Sequence, residues 1–211
     1  MAQTLGTAIT KILQDVIRGQ ELSSRVRDAI VDAIGFYRTK RFGFNQVTVS
    51  LSWSQSDIQA LPTDWLATNR IRLLDPSYRA PLTERTVEYL DDKERATHGT
   101  GTGKPYEYAI QDRTIRVYPF PDSNQQVSFG YLKDLTEVSV SADEAATNAW
   151  LGEAWPMIRA HALEDLYENY LQGEESDRNA ANNRGRAARW FNQLRSQADA
   201  ERAQAGLAGH L

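Results

Sequence analysis

The chain contains no cysteine, which removes disulfide frameworks, thiolate zinc sites and cysteine nucleophiles together. Histidine is scarce. His98, His161 and His210 lie far apart and fit neither an His-x3-His nor an HExxH spacing, so a histidine-based metal centre has no pattern to rest on. No run of about 18 apolar residues occurs, and no segment is expected to span a membrane. A surplus of positive charge is also missing: 24 Lys+Arg against 28 Asp+Glu leave a formal −4. That balance does not suit a protein whose main task is gripping phosphates. The first residues place Asp15 inside an amphipathic stretch and offer no small-residue cleavage site after an apolar run, unlike a signal peptide. What is present is 41% hydrophobic residues over 211 positions. That is enough for a real core, at a length suiting one or two domains, or one domain with an insertion.

Hydrophobic periodicity divides the chain into four sections. Leu5, Ile9, Ile12, Leu13, Val16 and Ile17 fall at offsets 0, 4, 7, 8, 11 and 12, a helical stripe with Thr4 placed to cap it. Gly19 and Gln20 interrupt, and a second stripe runs through Leu22, Val26, Ala29, Ile30, Ala33, Ile34 and Tyr37. The two helices of residues 1–42 form a hairpin that cannot bury both stripes alone. From about 43 to 140 the period becomes 2. Val47, Val49, Leu51 and Trp53 alternate with Thr48, Ser50 and Ser52, and Tyr106/Tyr108/Ile110, Ile115/Val117 and Val127/Phe129/Tyr131 do likewise. Gln111-Asp112-Arg113 and the Pro119 to Asn124 segment supply turn chemistry between them. Thr83 to Ala96 reads as one charged, exposed helix within this antiparallel β module. Helical period returns at Thr147, and 141–172 provides the third bundle helix through Leu151, Trp155, Ile158, Ala162, Leu166 and Tyr170. Pro156 either kinks that helix or marks its true start. The fold class is therefore α+β: an α-helical bundle with an inserted antiparallel β module and an extended C-terminal helical arm.

The arm, residues 173–211, is rich in Ala and Arg. Ala187, Phe191, Leu194 and Ala198 form a narrow stripe, with Arg184, Arg186, Arg189, Arg195 and Arg202 around it. So narrow a stripe does not hold an isolated helix, and the arm needs a surface from elsewhere. It carries 6 Arg against 5 acids, too even a balance for a duplex-binding helix. Trp190 and Phe191 beside arginines match the composition of protein interfaces. The alternative, that the arm folds back onto its own bundle, stays open. On the partner-dependent reading, a chain ending at Gly173 keeps a folded bundle.

Catalytic templates fail on geometry. His98-Gly99-Thr100-Gly101-Thr102-Gly103-Lys104-Pro105 has His where a phosphate-binding loop needs its first Gly, Pro where it needs Ser or Thr, and a strand where it needs a helix. There is no Gly-x-Ser-x-Gly elbow. Carboxylates cluster at Asp91/Asp92/Glu94, Glu164/Asp165/Glu168 and Glu174/Glu175/Asp177, each on a helix face or helix start where acids are ordinarily solvated. His161, beside the third stripe, reads as a hydrogen-bonded boundary residue. No catalytic residue, cofactor site or metal site is assigned.

Taken in order, several short motifs resemble the head-to-tail adaptor (head–tail connector) proteins of short-tailed bacteriophages. They are Tyr37-Arg38-Thr39-Lys40-Arg41-Phe42-Gly43-Phe44-Asn45, Leu61-Pro62-Thr63-Asp64-Trp65, and Gly103-Lys104-Pro105-Tyr106-Glu107-Tyr108-Ala109-Ile110. Val117-Tyr118-Pro119-Phe120-Pro121 and Thr147-Asn148-Ala149-Trp150-Leu151 complete the set, which spans about residues 5 to 172. Residues 138–142 depart from the family's Leu-Ser approach to the third helix.

The resemblance implies a structural virion protein: a homo-oligomeric ring, commonly of twelve copies, beneath the portal protein at one capsid vertex. Its lumen would continue the channel for genomic DNA, passed without sequence-specific binding, and its far face would receive a tail nozzle or tail tube protein. Assembly would take place in the host cytoplasm. A ring requires heterologous side-to-side contacts that close by rotation. The expected portal-binding residues are Arg186, Arg189, Trp190, Phe191, Leu194 and Arg195. Two alternatives belong to other classes: a virion-associated peptidoglycan hydrolase, with Glu164 or Glu168 as its acid, and a generic oligomerisation module.

Overall fold

The computed structural model describes residues 3–16, 22–56, 58–75, 81–97, 101–135, 149–171 and 175–208. Gly19 and Gln20, residues 98–100, the boundaries at 140/141 and 172/173, the 138–142 approach, Thr147, His210 and Leu211 lie outside them. The chain divides into two compact units, Met1–Asn45 with Asp134–Leu211 and Gln46–Lys133.

The first unit is helical. α1 (Leu5–Asp15) starts at Thr4, whose hydroxyl accepts from the Thr7 amide at 3.2 Å, satisfying one of the donors a helix start leaves open. It buries Leu5, Ala8, Ile9 and Ile12. α2 (Ser23–Tyr37) buries Val26, Ala29, Ile30, Ala33, Ile34 and Tyr37, the stripe that periodicity predicts. The third helix is two pieces, α4 (Ala149–Gly152) and α5 (Trp155–Asn169). Pro156 stands in the first turn of α5, where its missing N–H costs nothing, so it marks a start and not a kink. Arg159 of α5 pairs with Asp15 of α1 at 2.7 Å.

The arm is one long helix, α6 (Ser176–Ala208), and it rests on α5. The Ser176 hydroxyl donates to the carbonyls of Tyr167 and Leu171, fixing the turn between the two helices. Ala180, Asn183, Ala187 and Ala198 are buried along the seam, while Phe191 and Leu194 pack against the bundle core. Phe191 stacks on Tyr37 at 5.9 Å and meets Phe42 edge-on at 5.8 Å. Phe42 in turn stacks on Phe44, and Trp150 meets both edge-on. Farther along, a Cβ at Gly43 would lie 2.6 Å from the Glu201 carboxylate, so the helix runs close against the turn that ends the bundle's first half. The surface needed by the arm thus comes from its own chain. The physical reason is the small residues: a seam of alanines buries little per side chain but lets two helix backbones approach closely, so van der Waals contact along a long seam replaces large side chains.

The second unit holds two main sheets. β1 (Gln46–Trp53), β9 (Gln125–Lys133) and β3 (Trp65–Leu73) form one, antiparallel in the order β1-β9-β3. β2 (Ile58–Ala60), β7 (Thr114–Tyr118), β6 (Glu107–Gln111) and β4 (Thr83–Glu84) form the other, in the order β2-β7-β6-β4, with β4 parallel to β6. A small parallel pair joins β5 (Thr102–Gly103) to β8 (Phe120–Pro121). Trp53, Ile71, Leu73, Ile115, Val117, Val127 and Phe129 bury between the main sheets. β6 and β7 connect through Asp112 and Arg113, both at positive φ (47° and 60°), the backbone of a two-residue hairpin turn. The Arg113 guanidinium donates to the carbonyls of Pro62 and Thr63, which holds it there. The expected single helix over 83–96 is instead β4 followed by α3 (Val87–Ala96), capped by Thr86.

Phe191→Ala is expected to lower bundle stability by about 2 kcal/mol, less than full burial would give, measured by denaturant unfolding. Ending the chain at Gly173 strips the fourth helix from the α5 face. That truncation is expected to melt well below the full chain, not to leave the stable three-helix bundle anticipated above.

Candidate functional site

The face of α6 turned away from the bundle is the surface with the clearest chemical character. Between Arg178 and Ala198 the sequence has five arginines and no acid; the acids of the section sit at its ends, as Asp177, Asp199 and Glu201. Averaging over the whole arm conceals this. Arg184 is spent within the chain, its guanidinium donating to Glu164 at 2.6 Å and also to Glu168. Arg178, Arg186, Arg189 and Arg195 are exposed and make no ion pair among the described residues. Trp190, 37% exposed, stands between Arg189 and the inward Phe191.

Of the six residues expected to face a portal, Arg186, Arg189, Trp190 and Arg195 are therefore on the open side of the helix. Phe191 and Leu194 point into the bundle. Helical geometry imposes the split: successive residues are about 100° apart, so Trp190 and Phe191 cannot both face the same way. His161 sits on the neighbouring surface, stacked on the exposed Phe36 at 5.0 Å and 3.4 Å from the Tyr37 hydroxyl, in the boundary position read from the sequence. Burial first, and then the nearby Glu164 carboxylate, push the Tyr37 phenol up.

The acidic clusters are engaged structurally. Glu164 and Glu168 hold Arg184, and Asp91 and Glu94 together hold Arg116 at 2.6 and 2.9 Å. Of the third cluster, Glu175 and Asp177 are exposed, and Glu174 lies outside the described residues. The glycine-rich run places β5 over Thr102–Gly103, and no helix start follows it.

One charged centre was missed in the sequence. Glu107 on β6 is 3% exposed, and its carboxylate accepts from Lys93 at 2.6 Å and Arg85 at 3.0 Å. The Lys93 ammonium also lies 5.1, 5.2 and 5.6 Å from the rings of Tyr89, Tyr106 and Tyr118, an arrangement that favours the cation. Beneath α3 the apolar contact is only Leu90, Ala109 and Tyr118, with Val87 at its margin. Alternation across β6 could have marked Glu107, since it shares a face with Ala109. Its partners come from α3 and the approach to it, which no local pattern connects.

A bundle displaying an acid-free arginine face, beside a separate sheet unit, defines a docking protein. The SU10 adaptor protein family matches residues 3–209, nearly the whole chain, and the protein belongs to that family. Membership implies a structural and not an enzymatic role, that of a head-to-tail adaptor. Among solved structures, a chain described as "Neck of empty GTA particle computed with C6 symmetry" is 18% identical, with 82% of this chain and 86% of that one covered at a TM-score of 0.27. No curated protein sequence matches.

Glu107 generates a pH prediction. Burial alone would raise its carboxyl, but hydrogen bonds from Lys93 and Arg85 outweigh burial and hold it below the ordinary carboxylate value. A carboxyl lowered on folding contributes stability that is present above its unfolded value and is lost as pH falls through the folded one. Glu107→Gln is expected to cost about 1–3 kcal/mol at neutral pH. The difference from wild type should shrink on acidification below about pH 4, followed by urea titrations across pH.

Proposed function

We propose that the protein forms a ring, commonly of twelve copies, that joins the portal to the tail at the portal vertex of the virion. The observation that carries this is the family match over residues 3–209. The ring's lumen continues the DNA channel without sequence-specific contact, in keeping with the chain's net −4. Its far face meets a tail nozzle or tail tube protein. Copies assemble in the host cytoplasm.

On this reading α6 is the portal-docking element and works through its outer face. Arg186, Arg189 and Arg195 meet acidic groups of the portal, where charge-assisted and bidentate bonds are strongest, and Trp190 supplies the apolar contact. Phe191 and Leu194 contribute indirectly, by holding the helix on its bundle. Mixed with its cognate portal protein, the full chain is expected to give a ring complex of fixed stoichiometry, seen by negative-stain imaging and mass measurement. Arg186→Glu with Arg189→Glu should weaken that complex at least tenfold, as expected when opposed charges become like charges, with unfolding unchanged. Persistent monomer at high concentration beside the correct portal would sink the ring, and an unweakened complex would sink the assignment to this face. Zymography on peptidoglycan is expected to show no clearing.

A further inference from the structure

Sheet edges in the second unit are treated unequally. β2 and β4 are edges of only three and two residues. β3, an edge of the other sheet, carries Arg70 and Arg72, shows two register irregularities, and is bridged at Arg72 by Pro81 while Ile71 accepts from the Leu82 amide. Short length, charge, bulges and covering segments are the devices by which proteins keep an edge from pairing with another chain. β1 has none of them. It runs eight residues in unbroken register with β9, and residues 46–56 contain no charge, no proline and no glycine. Among the described residues no strand pairs with its other side.

Burial points the same way. Val47, Val49 and Leu51 face the sandwich core yet are only half-buried, and Thr48, Ser50 and Ser52 on the opposite face are exposed. An added strand would extend the ladder and finish covering the three apolar side chains.

We propose that the free edge of β1 receives an extended segment of another polypeptide, with apolar side chains at alternate positions and neutral ones between. Such strand addition draws affinity from main-chain bonds and selectivity from alternate side chains. The absence of charge on β1 matches a neutral partner. A second copy fits less well. Its β3 edge is bulged and already bridged, and pairing β1 with β1 makes a two-fold contact that closes at two and cannot propagate around a cyclic ring. This inference concerns a unit and a partner distinct from those of portal docking.

The test is residue-resolved hydrogen exchange on the full-length protein. The probe is a capped peptide of alternating threonine and valine with one terminal lysine, and the control is the same peptide N-methylated at every peptide nitrogen. Outward amides among residues 47–53 exchange fast in the free chain and are expected to slow at least about tenfold with the probe, and not with the control. Ser50→Lys with Ser52→Lys should abolish the slowing while leaving thermal unfolding and portal joining intact. That separates failure here from failure of the adaptor reading. No slowing, or equal slowing by the methylated control, overturns the proposal. Slowing that rises with protein concentration alone and tracks a dimer also overturns it, in favour of self-pairing.

Discussion

The seam between α5 and α6 is the constraint on which the helical unit depends. α1 and α2 form a hairpin whose two stripes need a third surface, and α5 supplies it. But α5 is itself apolar on more than one side: it buries Met157, Ile158, Ala160, Ala162, Leu163 and Leu166, too wide an arc for one neighbour. A helix apolar around much of its circumference belongs inside a bundle. α6 covers the remaining side with alanines, one buried asparagine and the Phe191 ring, and the aromatic group of Tyr37, Phe42, Phe44 and Trp150 ties that ring to both halves of the chain. An arm that would be unstable alone becomes the fourth wall.

The helices and most strands were legible because their signals are local. Stripes at period 3.6 gave α1, α2 and α5 almost residue by residue, and strict alternation gave β1, β6, β7 and β9. β3 escaped for a physical reason. Its register irregularities break the period-2 pattern, so Leu66, Ala67, Asn69 and Arg70 do not alternate cleanly. The order β1-β9-β3 was equally hidden, since it pairs residues 46–53 with 125–133, and nothing within either segment names the other. Docking of α6 was invisible to a hydrophobicity argument because its contact residues are mostly small. Of the candidate surface, the residue types were readable. Which of Trp190 and Phe191 points outward was not, because that depends on the rotation of α6 against α5.

The sheet unit solves a different problem. α3 covers one sheet, yet it has a single fully buried apolar side chain, Leu90. Ion pairs supply the rest of its attachment: Lys93 and Arg85 to Glu107, and Arg116 to Asp91 and Glu94. A buried carboxylate stripped of its cations would be costly, which fixes where α3 must sit more sharply than how strongly it is held. The acidic run Asp91/Asp92/Glu94, which in isolation suggests either a catalytic pair or a solvated face, divides accordingly. Asp91 and Glu94 turn toward Arg116, while Asp92 remains at the surface with Arg95.

Docking of α6 within its own chain changes the energetics proposed for assembly. A disordered arm that folded on its partner would spend about 2–5 kcal/mol on ordering before any net affinity appeared. An arm already ordered on its bundle avoids that cost, but it also withholds Phe191 and Leu194 from the partner. What each copy then offers is three arginines and one half-exposed tryptophan. Exposed ion pairs contribute roughly 0–1 kcal/mol each, so one copy holds a partner weakly. The arrangement suits a ring: once one copy is seated, the others face the same rigid surface at high effective concentration, and many weak contacts sum to a stable joint. Order in the single chain and strength only in the assembly follow from the same choice, which is to place the apolar stripe inward and leave the arginines outside.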